Sequence, residues 1–142
     1  MANEYRVSLP IGAPAQRVWD LIVDAAGYKR WNTSVVSIDG PIEAGRTIKL
    51  VSAVDPGRTF TLKVGAMDPP HRLVWIGGMP LGLFTGTRTF LIESVGEGCR
   101  FWMSEVYTGV MSGLIFKSIP NLTDSFGQFA ESLKTAAERA SG

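Results

Sequence analysis

The sequence is short of the residues that build metal and nucleophile sites, with one cysteine, Cys99, and one histidine, His71, in 142 residues. A single cysteine cannot form an internal disulfide, and a single histidine excludes histidine-rich metal sites and mechanisms that need two imidazoles. Cys99 starts a predicted strand with no activating partner in view, and His71 lies in the turn "DPPHR". We therefore expect no metal and no cofactor.

The chain also lacks an excess of charge of either sign. Its 14 basic and 13 acidic residues are spread along the sequence and give a net charge of +1. Nucleic acids and anionic bilayers attract runs of basic residues, so both are poor candidates as partners. No apolar run approaches the roughly 20 residues of a spanning helix, which argues against membrane insertion.

The opening "MANEYRVSLPIGAP" has neither the basic nor the apolar region of a secretory signal, so the expected location is the cytoplasm. With 45% hydrophobic residues, a chain of this length can bury a core of its own. We expect residues 1–142 to form a single domain, present as a monomer or a homodimer.

The hydrophobic pattern changes period twice along the chain. "EYRVSLP" alternates like a strand, "AQRVWDLIVDAAG" has helical spacing after Pro14 and ends at Gly27, and "YKRWN" adds a second short helix. About six strands separated by glycine and proline turns follow, up to Gly109. From Met111 the apolar positions alternate steps of three and four, which predicts a long amphipathic helix kinked or restarted near Pro120.

This order predicts an α+β fold in which a curved antiparallel sheet of about seven strands wraps around the long C-terminal helix. Only that helix is long enough to cover the apolar face of the sheet. Where side chains do not fill the space between sheet and helix, a cavity remains. Bulky residues predicted on the concave face include Phe60, Leu62, Trp75 and Phe90.

The strand "CRFWMSEVYTG" raises the main question, because Glu105 shares an apolar face with Phe101, Met103 and Tyr107. A hairpin turning at "SVGEG" that pairs Glu93 with Arg100 places Arg88 opposite Glu105, also on the core side. Two interpretations remain open. The pair is a structural ion pair of little net stability, or it provides the polar anchors of an apolar ligand pocket.

Three segments, "PAQRVWDLIVDAAGYKRWNTSV", "DPPHRLVWIGG" and "GCRFWMSEVYTG" before a long helix, resemble the START-like SRPBCC superfamily, most closely its polyketide cyclase/dehydrase-like branch. The resemblance covers nearly the whole chain. Its most specific marks are the residues Pro14, Val18, Trp19, Asp24, Tyr28, Trp31 and Asn32. It implies a helix-grip fold with a hydrophobic cavity, and Trp31 and Trp75 match family positions near the cavity wall.

The superfamily contains aromatase/cyclases, lipid and hormone binders and activators of a heat-shock chaperone, without a shared catalytic motif, so the fold implies a pocket and not a chemistry. The expected ligand is a small apolar molecule, namely a lipid, a polyketide or an aromatic compound. The residues expected to bind it are Trp31, Phe60, Leu62, Trp75, Phe90, Met103, Leu122 and Phe126.

If the protein is an enzyme, its side chains are most compatible with a cyclisation or dehydration that needs no cofactor. Glu105 would then be the general acid or base, and Arg88 or Tyr107 would steady an enolate oxygen. The alternatives are a non-catalytic carrier that uses the same residues, or a protein-interaction module whose contact patch is formed by Leu91, Trp102 and Val106 on the outer face of the sheet.

Overall fold

The computed structural model describes residues 3–79 and 81–139. The first half of the chain contains β1 (Asn3–Ile11), α1 (Ala15–Ile22), a 3-10 turn (Ala25–Gly27), α2 (Tyr28–Trp31), β2 (Val35–Asp39), β3 (Thr47–Ser52) and β4 (Asp55–Asp68). The second half contains β5 (Arg72–Met79), β6 (Phe84–Val95), β7 (Gly98–Thr108), α3 (Ser112–Ser118) and α4 (Thr123–Arg139).

The strands form one seven-stranded sheet in the order β1-β7-β6-β5-β4-β3-β2, and every neighbouring pair is antiparallel. The sheet curls into a half-barrel around α4, with the short helices after β1. The predicted α+β helix-grip fold is therefore confirmed. β1 reaches the far edge of the sheet by pairing with β7, which places the start of the chain beside its last strand.

The C-terminal segment is helical in two parts, as predicted. α3 ends at Ser118, and Ile119 has extended dihedrals (φ −81°, ψ 157°). Proline disfavours helical dihedrals in the residue before it and cannot donate a backbone hydrogen bond, so Pro120 explains the break. α4 then packs against β1, α1 and β7.

The first helix is shorter than its hydrophobic period predicts, because it ends at Ile22 instead of continuing to Gly27. Asp24 leaves the helical region (φ −90°, ψ 89°), and its side chain accepts a hydrogen bond from the backbone N–H of Gly27 at 3.3 Å. Aspartate offers the backbone such local alternatives to helical hydrogen bonds, which divides the segment into α1 and the 3-10 turn.

The β6–β7 hairpin turns at Gly96 and Glu97, and Gly96 adopts a positive φ of 59° that glycine accepts without steric cost. Its register pairs Glu93 with Arg100 and Arg88 with Glu105, as predicted. The ion pair therefore joins the second and third strands from the β1 edge of the sheet.

The core lies between the concave face and the helices. Its largest fully buried side chains include those of Trp75, Tyr28, Phe90, Phe101 and Phe129. On the convex face Leu91 and Trp102 are exposed, whereas Val106 is half-buried. No helix within residues 3–79 and 81–139 is long and apolar enough to cross a membrane.

Candidate functional site

A cavity of about 360 Å³ lies between the concave face of the sheet and the segment from α3 to α4. Its walls come from strands β2 to β7 and from both helices. Most of the lining is apolar and includes Val35, Leu50, Phe60, Leu62, Trp75, Phe84, Met103, Ile115, Ile119, Leu122, Phe126 and Phe129. This volume is at the small end of the range of ligand sites, about 300–1,000 Å³.

Exposed residues mark the mouth of the cavity. Val54 and Arg58 belong to the β3–β4 hairpin, and Ser118 and Pro120 lie at the break between α3 and α4; all four line the cavity and are solvent-exposed. Asp55 lies beside them in the lining. The mouth therefore lies between the β3–β4 hairpin and the break between α3 and α4.

Two glycines make room inside the cavity. Gly77 of β5 and Gly86 of β6 are paired across neighbouring strands, and both line the cavity. A Cβ atom on Gly86 would lie 3.2 Å from the Tyr107 ring, and one on Gly77 would collide with the Leu62 side chain. The absence of side chains here leaves bare backbone next to Tyr107.

Arg88, Glu105 and Tyr107 form a polar cluster in this otherwise apolar cavity. Arg88 Nε donates to Glu105 Oε1 at 2.9 Å, and the hydroxyl of Tyr107 donates to Glu105 Oε2. The side chains of Arg88 and Glu105 are 16% and 17% exposed. The Arg88 guanidinium carbon also lies 4.8 Å from the centre of the Phe126 ring, a cation–π contact that orients it from the helix side.

Tyr107 is a permanent donor in this cluster. Burial raises the pKa of its hydroxyl well above the ordinary value of 10, and the charge and hydrogen bond of Glu105 raise it further. The phenol therefore keeps its proton at any physiological pH, and that proton is already shared with Glu105. Both oxygens of the carboxylate are thus occupied.

The polar cluster keeps free hydrogen-bond donors on the guanidinium of Arg88. Apart from Nε, the guanidinium nitrogens of Arg88 make no hydrogen bond to any residue that the structure describes. A ligand that carries an acceptor atom would complement this arrangement.

Six of the eight predicted ligand-binding residues line the cavity, together with all three predicted catalytic residues. The lining contains Phe60, Leu62, Trp75, Met103, Leu122, Phe126, Arg88, Glu105 and Tyr107. Thus the structure brings the polar cluster and most of the predicted apolar wall into one space.

Trp31 and Phe90 lie outside the lining, contrary to the prediction. Phe90 is fully buried and packs against Trp75 with ring centres 4.7 Å apart, so Trp75 separates it from the cavity. The ring of Trp31 lies against that of Tyr28, with centres 4.8 Å apart, and makes an edge contact with Phe129. The aromatic residues of the core fill this end of the space between sheet and helix.

Several lining residues were not predicted. Ile115 and Ile119 follow from the helical period of the C-terminal segment, of which only Leu122 and Phe126 were predicted to bind the ligand. Gly86 falls opposite Tyr107 in the predicted β6–β7 register, and Phe84 lies two residues before it on the same face. The inward direction of Gly77 depends on the β5–β6 register, and its lack of a side chain leaves no sign of it in the sequence.

The remaining reactive side chains lie elsewhere. His71 is exposed, and its Nδ1 is 2.9 Å from the carbonyl oxygen of Ile92. Cys99 is buried, and burial raises the pKa of its thiol, which disfavours the nucleophilic thiolate. Neither residue lines the cavity.

Comparison with known proteins identifies the family. The sequence model of the family described as polyketide cyclase/dehydrase and lipid transport matches residues 3–138. The chain belongs to this polyketide cyclase/dehydrase family. None of the curated proteins compared matches the chain in sequence.

Solved structures share the fold of this family member at low sequence identity. The Zhui aromatase/cyclase from Streptomyces sp. R1128 superimposes with a TM-score of 0.77 at 13% identity, over 100% of this chain and 97% of its own. A protein from Mesorhizobium loti gives 0.75 at 15% identity, covering 96% and 98%. A START superfamily protein from Mycobacterium smegmatis gives 0.71 at 13% identity, also covering 96% and 98%.

Proposed function

We propose that the protein binds a small, mostly apolar molecule in the cavity between the sheet and the C-terminal helices, with a polar end of that molecule at Arg88, Glu105 and Tyr107. The observation that carries this proposal is a hydrogen-bonded cluster of Arg88, Glu105 and Tyr107 within a mostly apolar lining. Ligand sites typically combine apolar volume with a few placed polar groups that fix orientation.

Family membership supports the same proposal. The family description includes both cyclase/dehydrase chemistry and lipid transport, and both require an enclosed space for a largely apolar molecule. The volume of about 360 Å³ suits a compact lipid fragment, a polyketide or an aromatic compound. The mouth at the break between α3 and α4 provides a route of entry.

Catalysis of cyclisation or dehydration is the second candidate function. It is favoured by the position of Glu105, whose carboxylate lines a largely dry cavity where it can exchange a proton with a bound substrate. In this proposal Glu105 takes or gives the proton, and Arg88 stabilises negative charge that develops on an oxygen. No cofactor is needed for this chemistry.

Blocking the cavity tests the binding proposal. Ser125 lines the cavity on α4, whereas Gln128, one turn later on the same helix, is exposed. We expect Ser125→Trp to weaken binding of the neutral fluorophore N-phenyl-1-naphthylamine at least about tenfold, since the indole occupies the space. The matched control Gln128→Trp should bind the fluorophore like the wild type. Equal binding by both variants would show that the fluorophore binds outside this cavity.

The Glu105→Gln variant separates catalysis from binding. Glutamine keeps the size of the side chain but cannot exchange a proton at this position, so turnover of any substrate found should be lost while the fluorophore still binds. Turnover that survives the substitution would remove Glu105 from the acid/base role and leave the protein a binder.

A further inference from the structure

The charges that line the cavity balance one another. Arg58 and Arg88 are its cationic residues and Asp55 and Glu105 its anionic residues, within the part of the chain that the structure describes. Inside the cavity the two opposite charges are in contact, because Arg88 Nε and Glu105 Oε1 lie 2.9 Å apart. Tyr107 remains neutral and donates to Glu105. The site as built therefore has no net charge for a charged ligand to neutralise.

A ligand that brought a carboxylate or phosphate to this site would meet two opposing effects. Arg88 would attract the anion, but Glu105, on the same guanidinium, would repel it, and the new charge would lose its hydration without an added counter-charge. A neutral oxygen acceptor avoids both costs, since it needs only a donor. The unpartnered guanidinium nitrogens of Arg88 provide one.

Resting on the proposed binding function, we propose that the cavity selects ligands whose polar end is a neutral hydrogen-bond acceptor, such as a ketone or aldehyde oxygen, and discriminates against carboxylates and phosphates. Glu105 is then the residue that determines this selectivity, because it supplies the charge that cancels that of Arg88. Tyr107 holds the second carboxylate oxygen, so Glu105 cannot turn away from the guanidinium without losing two hydrogen bonds.

A pair of ligands with the same shape tests this selectivity. 2-Acetylnaphthalene and 2-naphthoate differ mainly in that a methyl ketone replaces a carboxylate, so titration calorimetry at neutral pH compares the neutral and the charged polar end directly. We expect the wild type to bind the ketone at least about tenfold more tightly than the carboxylate. A wild type that prefers the carboxylate, or that does not discriminate, would overturn the inference.

Variants then assign the selectivity to charge. Glu105→Gln leaves Arg88 without a counter-charge and should shift the ratio of the two affinities at least about tenfold toward 2-naphthoate. The double variant Arg88→Gln, Glu105→Gln removes both charges and should restore preference for the ketone. Glu93→Gln is the matched control, because it removes one negative charge from the same hairpin at an exposed position and should keep the wild-type ratio. A ratio that Glu105→Gln leaves unchanged would overturn the role of Glu105.

The outcomes distinguish this inference from the proposed function beneath it. If neither naphthalene compound nor N-phenyl-1-naphthylamine binds, the binding proposal fails and the selectivity fails with it. If both naphthalene compounds bind in competition with the fluorophore, but the carboxylate binds more tightly, the binding proposal stands and only the selectivity is overturned.

Discussion

At the scale of single residues, the carboxylate of Glu105 accepts hydrogen bonds from Arg88 and from Tyr107 within an apolar cavity. Ion pairs removed from water gain little net stability, because the cost of desolvating two charges offsets their attraction. The pair also lines the space where a ligand would bind. The hypothesis that the ion pair serves ligand binding therefore predicts that the pair contributes little to the free energy of folding.

A set of apolar substitutions measures that contribution. Glu105→Leu alone leaves the guanidinium of Arg88 unpaired and should lower the free energy of unfolding by about 1–3 kcal/mol. The double variant Arg88→Met, Glu105→Leu should recover most of this loss, because no lone charge remains. Urea unfolding followed by tryptophan fluorescence provides the measurement. A double variant less stable than either single variant would indicate a structural ion pair.

The raised pKa of Tyr107 predicts that the free energy of unfolding falls at alkaline pH. Its pKa in the folded state is raised by burial and by Glu105, so the unfolded chain loses this proton first as the pH rises above about 10. Stability is therefore complete below pH 10 and falls above it, by up to about 1.4 kcal/mol per pH unit for each such group. Tyr28, whose pKa is also raised by burial, contributes in the same direction.

Tyr107→Phe should reduce that alkaline slope without abolishing it, because Tyr28 remains. Urea unfolding of the wild type and the variant between about pH 9 and 11 compares the two slopes. Identical slopes would mean that Tyr107 ionises as readily in the folded protein as in the unfolded chain.

At the scale of secondary-structure elements, the β6–β7 hairpin determines the site. Its register could be predicted from the turn at "SVGEG" and the alternation of Phe90, Ile92, Phe101 and Met103, because a slip of one residue would expose this apolar set. That register is sufficient to pair Arg88 with Glu105. The break at Pro120 was equally predictable, since proline acts on its own backbone and its neighbour alone.

The cavity wall was less predictable than the strands that form it. Phe90 points to the concave face as predicted, but the rings of Trp75 and Phe129, which line the cavity, pack against it. An alternating pattern identifies the face of a strand, whereas the position of a void depends on the packing of side chains from three or more elements. The same limit applies to Trp31, which packs behind Phe129.

The paired glycines on β5 and β6 provide a test at the element scale. Gly86→Ala adds a methyl group 3.2 Å from the Tyr107 ring on the cavity side. Gly65→Ala is the matched control, because its Cβ would lie 3.3 Å from the side chain of Ile76 and it does not line the cavity. We expect only Gly86→Ala to weaken ligand binding, by about threefold to tenfold.

Fluorescence titration with N-phenyl-1-naphthylamine compares the two alanine variants, and thermal unfolding reports any common loss of stability. Equal weakening in both would attribute the effect to strain in the sheet instead of to cavity space.

At the scale of the whole molecule, the fold explains why a site exists in this place. α4 packs over β1, β7 and α1 at one side of the sheet, and α3, a separate short helix before the break, contacts the same two strands, β1 and β7. The space beneath this break is the cavity. The resemblance carried by the first helical pair and by the last strand predicted both the fold and the family, whose sequence model matches residues 3–138.

The exposed residues of the convex face concern the protein-interaction alternative, which stays a prediction. Leu91 and Trp102 are exposed there, 42% and 43% respectively, and are paired across β6 and β7. They do not line the cavity, so the protein-interaction alternative and the ligand-binding proposal concern opposite faces of one hairpin. A ligand that occupies the cavity would leave this surface free.

The most direct test of the central claim is a crystal structure of the protein with 2-acetylnaphthalene. The account predicts the naphthalene ring in the cavity between the sheet and α3 and α4, near the bare backbone of Gly77 and Gly86, with the ketone oxygen within hydrogen-bonding distance of the Arg88 guanidinium. The Arg88–Glu105 pair should be retained. A ring bound on the convex face near Trp102, or a ketone oxygen directed at the mouth and away from Arg88, would contradict the account.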